Sequence, residues 1–254
     1  MPTTPPPKTQ YTMTFRTARM SFTPLALSDT RALHTLRVEP EVMKWTRQRH
    51  PDASLQETED WIRTVIGDPR PDADPESKSV DQNDGAASAS ATEPSGGSKS
   101  NLNPSPSQGK GKGKGINFSV RGREHVQAMQ DGEEKEDRII GIIGVREKES
   151  ALSKSMHYEL GYMFVPAVWG RGYASEAVRG ILGWWFGYLR DTTKEGEEGG
   201  VVDTDGVYAI VSKANGASLR VMEKAGFRVN SEGVDETGSE AEEVVEFRIS
   251  RSTT

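Results

Sequence analysis

The hydrophobic pattern changes period several times along the chain, and each change marks an element. Arg19 to Leu25 reads as a first strand, and Asp29, after Ser28, opens a helix through Arg37 with Leu33 and Leu36 on one face. Ser54 followed by Glu57 has the spacing of a capping box, in which the two side chains satisfy unpaired backbone N–H groups of a first helical turn. A second helix is therefore predicted from there to about Ile66, with Leu55, Trp61, Ile62 and Val65 as its apolar positions. Ile116 to Arg121 alternates as a strand, whereas Arg138 to Val145 is nearly continuous Ile and Gly, as expected of a strand covered on both faces. These two form a hairpin through a loop at Asp131, and His157 to Val165 is a third strand beside them.

Ala174 to Arg190 returns to the helical period, placing Ala174, Ala177, Val178, Ile181, Leu182, Trp185 and Leu189 on one stripe. Val207 to Val211 reads as a buried strand and Ala217 to Lys224 as a helix that Gly226 stops. Val245, Phe247 and Ile249 alternate with Glu246 and Arg248 in a closing strand, Val244 to Ile249. The order is strand, two helices, three strands, helix, strand, helix, strand or two. That order predicts a mixed α/β (α+β) sandwich and not a doubly wound dinucleotide fold.

Four polar stretches interrupt this pattern. Asp68 to Gly115 holds no aromatic, Ile or Met, and only Val80 and Leu102 are large aliphatics. Such a stretch buries too little to offset its ordering entropy, so it reads as a disordered, low-complexity insertion in one domain whose core spans about 15–67 and 116–250. It ends in alternating Gly and Lys from Gly109 to Gly115, a basic run that could touch phosphate but reads first as a solubilising linker. Asp131 to Asp137, Lys194 to Gly200 and Asp235 to Glu243 read as expanded surface loops.

Composition narrows the chemistry. With 33% hydrophobic and 28% charged residues, 26 Gly and 14 Pro in 254 positions, part of the chain is expected to lie outside any packed core. No apolar run approaches the ~20 residues that cross a bilayer, and Met1 to Gln10 has neither a secretory nor a transit pattern, so a cytoplasmic or nuclear location is expected. There are no cysteines, which excludes disulfides, Cys-ligated zinc, iron–sulfur clusters and thiol nucleophiles. The four histidines, His34, His50, His125 and His157, lack metal-ligand spacing, so no metal is expected and His157 reads as a surface residue. A net charge of -6 argues against a whole-surface attraction for nucleic acid.

One segment concentrates the candidate chemistry. From Glu159 through Val165 a strand runs into Trp169-Gly170-Arg171-Gly172-Tyr173-Ala174, which opens the long Trp-rich helix. Gly170 and Gly172 allow unusual backbone dihedrals and close approach. The first N–H groups of the helix have no internal partner and carry the positive end of its dipole, an arrangement suited to a pyrophosphate as well as to a plain tight turn.

With its neighbours this segment resembles the GNAT superfamily of N-acetyltransferases, most closely the branch of ribosomal-protein N-acetyltransferases. The family motif is Gln or Arg, two residues, Gly, one residue, then Gly or Ala. Here Trp169 stands in the first place, a substitution familiar in that branch, and Glu176-Ala177 follows as in its members. A second motif matches downstream, where Asn215-Gly216-Ala217-Ser218 is followed by Glu223-Lys224-Ala225-Gly226-Phe227. Pro24-Leu25, Glu41-Val42 through Trp45, and Glu57 to Trp61 also fit.

The resemblance implies a mixed, mostly antiparallel sheet of six to seven strands flanked by about four helices, with acetyl-CoA in a V where two strands part. Those strands would be His157 to Val165 and Val207 to Val211. The backbone of Met163, Phe164 and Val165 would bind pantetheine and acetyl, and Gly170, Arg171, Gly172, Tyr173 and Ala174 the pyrophosphate. Asn215 would hydrogen-bond the pantetheine arm, or simply cap a helix. A neutral amine, on a protein N-terminus or a small molecule, would attack the thioester directly. Glu159 is the candidate base, against a plain strand position balancing charge. Many relatives carry a Tyr as acid toward the leaving thiolate, but Met222 stands at that place and cannot donate. Ser218 matches the residue proposed for this role in the ribosomal-protein branch. The competing implication is a module that keeps the CoA cradle without turnover.

Overall fold

The computed structural model describes residues 13–67, 115–122, 138–192, 202–237 and 240–253. The expected insertion, save Gly115, and the segments at Asp131 and Lys194 lie outside the described residues.

Eight strands form one sheet: β1 (Phe15–Arg16), β2 (Met20–Pro24), β3 (Gly115–Gly122), β4 (Ile139–Glu149), β5 (Met156–Phe164), β6 (Asp203–Ser212), β7 (Arg228–Asp235) and β8 (Glu242–Ser250). Their order is β1-β2-β3-β4-β5-β6-β8-β7, and each neighbouring pair is antiparallel except β5 with β6. The helices are α1 (Thr30–Arg37), α2 (Pro40–Met43), α3 (Leu55–Ile66), α4 (Tyr173–Thr192) and α5 (Gly216–Ala225).

The two faces of the sheet carry separate cores. One joins Ile143, Val145, Leu160 and Phe164 to Ile181, Leu182 and Trp185 of α4 and Met222 of α5. The other joins Ile139 and Ile142 to Leu33, Leu36 and Ile62 of α1 and α3. The continuous Ile/Gly run of β4 is thus buried on both sides, as its lack of alternation predicts. Helix boundaries follow the local chemistry. Ser54 accepts the Glu57 N–H and Glu57 accepts the Ala53 N–H at the start of α3, while Gly226 stops α5 in the left-handed region with φ 96°.

The strand and helix counts exceed the expected six to seven and about four. The two-residue β1 and the four-residue α2 are too short for a periodic signal. Strand β7 is an edge strand with Val229 and Val234 exposed, so no buried stripe marks it. The stretch read as a loop from Asp235 to Glu243 begins and ends in strand, since Asp235 pairs with Glu242 at the ends of β7 and β8, and the connection between the two strands is 236–241. His157 also departs from expectation. It is 1% exposed and its ring stacks on Tyr208 with centroids 4.3 Å apart, so burial pushes its pKa down.

Candidate active site

Strands β5 and β6 stay paired only at His157, Tyr158 and Glu159. Beyond that point β6 continues along β8 as far as Ser212, while β5 continues along β4 as far as Phe164. The two strands that the sheet should hold together therefore separate, and a cleft opens between Leu160–Phe164 and the second half of β6. A Cβ placed on Gly161 would meet nothing within 4 Å. At the end of the strand Gly141 has the opposite role, because a Cβ there would fall 2.4 Å from the Phe164 ring.

The antiparallel ladder decides which β5 amides face this cleft. Val165 donates its N–H to the Ile140 carbonyl at 2.9 Å, and the β4–β5 register runs without interruption from Gly141↔Phe164 to Glu149↔Met156. Alternate residues of such a ladder bond to the same neighbour. Met163 and Gly161 thus share the orientation of Val165 toward β4, while Phe164 and Tyr162 direct their amides toward the parted edge. Trp169, 43% exposed, donates its indole N–H to the Phe164 carbonyl at 2.7 Å, so the residue in the first position of the glycine motif braces the end of β5.

The turn that follows has the conformation its glycines permit. Gly170 has φ 71° and Gly172 φ 80°, where any side chain is strained, and α4 begins at Tyr173. Arg19, at the entry to β2, holds the turn from below. Its backbone N–H and its Nε donate to the two carboxylate oxygens of Glu176 at 2.9 and 2.7 Å, and Nη1 donates to the Arg171 carbonyl at 2.9 Å. The guanidinium also lies 4.2 Å from the centroid of the Tyr173 ring. Burial alone would raise the Glu176 carboxyl, but hydrogen bonds and the Arg19 charge outweigh it and hold the pKa below the usual range. An acid in the first turn would otherwise compete with an incoming anion for the helix N-terminus. Arg171 and Ala174 are respectively exposed and half-buried beside the same turn.

A cavity joins these parts. Tyr162, Met163, Phe164, Gly170, Gly172, Tyr173 and Ala174 line it from β5 and the turn, Asn215 and Ser218 from the start of α5, and Val42, Trp45 and Thr46 from α2 and the residues that follow it. The last group is positioned by a buried ion pair. Arg37, 2% exposed, donates to both carboxylate oxygens of Asp52 at 2.6 and 2.7 Å, and Gln48 and Thr58 complete the set around the same acid. Although burial raises the Asp52 carboxyl, these donors together hold its pKa below the usual value. The network closes the 44–52 segment over α1, and so sets where Trp45 and Thr46 meet the cavity.

The structure distributes the predicted polar residues unevenly. Asn215 caps α5, its Oδ1 accepting the Ser218 N–H at 3.1 Å, which leaves its amide N–H groups for another acceptor. Ser218 Oγ accepts the Tyr162 hydroxyl at 3.1 Å. Met222 is wholly buried in the core. Glu159 lies on the opposite face of β5 from Tyr162 and is 7% exposed. Lys148 donates to both its carboxylate oxygens, at 2.6 and 2.5 Å, and Arg146 stands 3.8 Å away. Burial pushes the Lys148 pKa down despite this partner. Sequence reasoning missed Arg19, which lies 157 positions from Glu176 and in no motif.

The family model for the acetyltransferase (GNAT) domain matches residues 19–228. The chain belongs to the GNAT acetyltransferase family. Solved structures agree in fold. A GNAT-family acetyltransferase from Bacillus anthracis superposes with TM-score 0.57 at 17% identity, covering 94% of this chain and 99% of that one. Spermidine N-acetyltransferase from Vibrio cholerae, in complex with CoA and spermine, gives 0.54 at 15% identity, covering 93% and 98%. An aminoglycoside acetyltransferase in complex with coenzyme A gives 0.52 at 11% identity, covering 92% and 96%. No curated protein matches the chain. Among the described residues no group of three or more His, Asp or Glu side chains is placed to hold a metal ion, and no helix is long and apolar enough to cross a membrane.

Proposed function

We propose that the chain is an acetyl-CoA-dependent N-acetyltransferase that transfers acetyl to a primary amine. The observation that carries this reading is the parting of β5 from β6 beside a positive-φ glycine turn at the start of α4. A pyrophosphate fits against Gly170, Arg171, Gly172, Tyr173 and Ala174, where unpaired helical N–H groups point outward. The outward amides of Tyr162 and Phe164 take the place of the strand that β6 has vacated, offering donors to pantetheine and to the oxyanion that develops on the thioester. This shifts the emphasis within the expected Met163, Phe164 and Val165 set, because the Val165 amide already serves β4. Asn215 lines the same cavity and caps α5 through Oδ1, so its amide N–H groups are the proposed donors to the pantetheine arm.

The acceptor enters on the side of Val42, Trp45 and Thr46. Its amine must be neutral to attack, and an α-amino group, with pKa about 8, reaches that state more readily than a Lys, with pKa about 10.4. Nitrogen forms its bond to the acetyl carbon as the C–S bond breaks and the electron pair leaves on sulfur. Glu159 is the proposed acceptor of the amine proton, through water, and Ser218 the proposed donor toward sulfur. The neighbour whose structure holds spermine favours a small polyamine-like acceptor. The motif around Trp169 and Ser218 favours a protein N-terminus of the ribosomal-protein type.

Calorimetric titration with acetyl-CoA, paired with the Gly170→Glu/Gly172→Glu variant and an amine screen, tests the reading. Tight binding that the variant loses, with amine-dependent CoA release, supports it. A folded protein that does not bind acetyl-CoA overturns it. The buried Met222, where relatives place a Tyr, favours a second reading as a CoA-binding module without turnover, and binding without release by any amine would establish that one.

A further inference from the structure

The hydrogen bond between Tyr162 and Ser218 joins β5 to α5 across the cleft, between positions 56 apart in sequence. Both residues line the cavity, and the contact involves side chains from the two walls between which the thioester is proposed to lie. The direction of the bond matters. Tyr162 O–H donates and Ser218 Oγ accepts, while the Ser218 backbone N–H is spent on Asn215 Oδ1. A serine hydroxyl has one proton and two lone pairs. With one lone pair occupied by Tyr162, its own proton is left to point elsewhere, and the cavity is the open direction.

We propose that Tyr162 is a positioning residue for the leaving group, its hydroxyl orienting and polarising Ser218 so that the Ser218 O–H donates a hydrogen bond to the departing CoA sulfur. The inference rests on the transferase reading above and deepens it. Burial pushes the Tyr162 pKa up to about 12, only partly offset by Ser218, so the phenol keeps its proton throughout the working range and has it to donate to Ser218 Oγ. The same shift disfavours full proton transfer from Tyr162 to sulfur. A thiol of the cysteine class has a pKa of about 8.5, so a phenol near 12 would give up its proton uphill. What the pair supplies is a polarised hydrogen bond, each O–H strengthening the next in the chain. The C–S bond breaks, its electron pair rests on sulfur facing the Ser218 proton, and the thiolate takes its proton from water as CoA leaves. The pair thus supplies the donor that Met222, buried in the core, cannot.

The test uses the full chain and two readouts, one of which needs no turnover. Wild type, Tyr162→Phe, Ser218→Ala and the double variant are compared for acetyl-CoA affinity by calorimetry, for kcat with an amine identified in the screen, and for the pKa of bound CoA thiol by its ultraviolet thiolate absorbance. Tyr162→Phe is expected to leave the acetyl-CoA Kd unchanged, to lower kcat about three- to tenfold, the size of one net hydrogen bond, and to raise the pKa of bound CoA thiol. In the Ser218→Ala background the same change should have no further effect. Equal kcat and thiol pKa in wild type and Tyr162→Phe would overturn the inference while leaving the transferase reading intact. Full additivity in the double variant would also overturn it, since Tyr162 would then act independently of Ser218. Wild-type protein that fails to bind acetyl-CoA would remove the underlying reading and the inference together, and should Tyr162→Phe not fold, Ser218→Ala must still raise the thiol pKa for the proposal to stand.

Discussion

Arg19 Nε sits 2.7 Å from Glu176 Oε2, tying the first long strand of the sheet to the first turn of the helix that follows the glycine motif. The contact neutralises the acid nearest the proposed pyrophosphate and, through Nη1 on the Arg171 carbonyl, fixes the turn between Gly170 and Gly172.

Arg19→Ala is accordingly expected to weaken acetyl-CoA binding about tenfold, by freeing a negative charge at the helix N-terminus and loosening the turn. Its effect on global stability should be small, because the Arg19 side chain is 38% exposed and solvent screens the pair. Calorimetry and thermal unfolding on the same preparation separate the two quantities, and a large Tm loss with unchanged affinity would refute the assignment.

Gly172→Ala forces a side chain into φ 80° and should cost about 1–2 kcal/mol in unfolding free energy. Gly161→Ala is the contrasting variant, because a Cβ there meets nothing and the strand should fold normally. Denaturant unfolding should separate the two variants by stability, while acetyl-CoA titration shows whether Gly161→Ala obstructs the ligand.

Asp52→Ala leaves the Arg37 guanidinium buried without its acid and should destabilise the fold by about 3–5 kcal/mol. The depressed pKa of Asp52 gives the sign of the pH effect. Its contribution is present above the unfolded carboxylate value and is lost as pH falls through the still lower folded value, so the difference between wild type and variant should narrow in strong acid. Urea unfolding across an acid series measures this, and a constant difference would contradict the linkage.

Trp169→Phe keeps the ring but removes the indole donor from the Phe164 carbonyl. About 1 kcal/mol of stability should go with it. If the brace also sets the end of the cleft, KM for acetyl-CoA rises while kcat at saturation holds, and steady-state kinetics would show the opposite split if the residue touched the reacting atoms.

Glu159→Gln tests the proposed base. Loss of general-base assistance should lower kcat by about a hundredfold near neutrality and leave acetyl-CoA affinity unchanged. Since Lys148 binds both carboxylate oxygens, stability must be measured alongside. Unchanged kcat in a folded variant would assign Glu159 to the Lys148 ion pair alone.

Local signals were legible wherever an element buries one face or carries its own terminator. The Ser54 cap, the Gly226 stop, the stripe of α4 and the two-sided burial of β4 are properties of neighbouring residues, and each appears in the structure where spacing placed it. The glycine turn was legible for the same reason, since Gly170 and Gly172 sit where only a positive φ closes the path from β5 into α4. The edge strand β7 was not, because a strand exposed on its outer positions writes no alternation into the sequence.

What the sequence by itself determined was the order of the elements, the two spaced motifs, and the absence of thiol chemistry, all of them matters of residue type and short-range spacing. Only the tertiary structure decided the working geometry. Which amides of β5 face the cleft depends on the register with β4, and Tyr162 acquires its partner Ser218 only because α5 packs beside the parted strands. Burial of His157 under Tyr208, the grip of Lys148 on Glu159 and the reach of Arg19 to Glu176 likewise arise between segments that approach only once the sheet has closed. Periodicity reports which side of an element is apolar, but the partner a polar group finds there is set by register and crossing, which belong to the whole sheet.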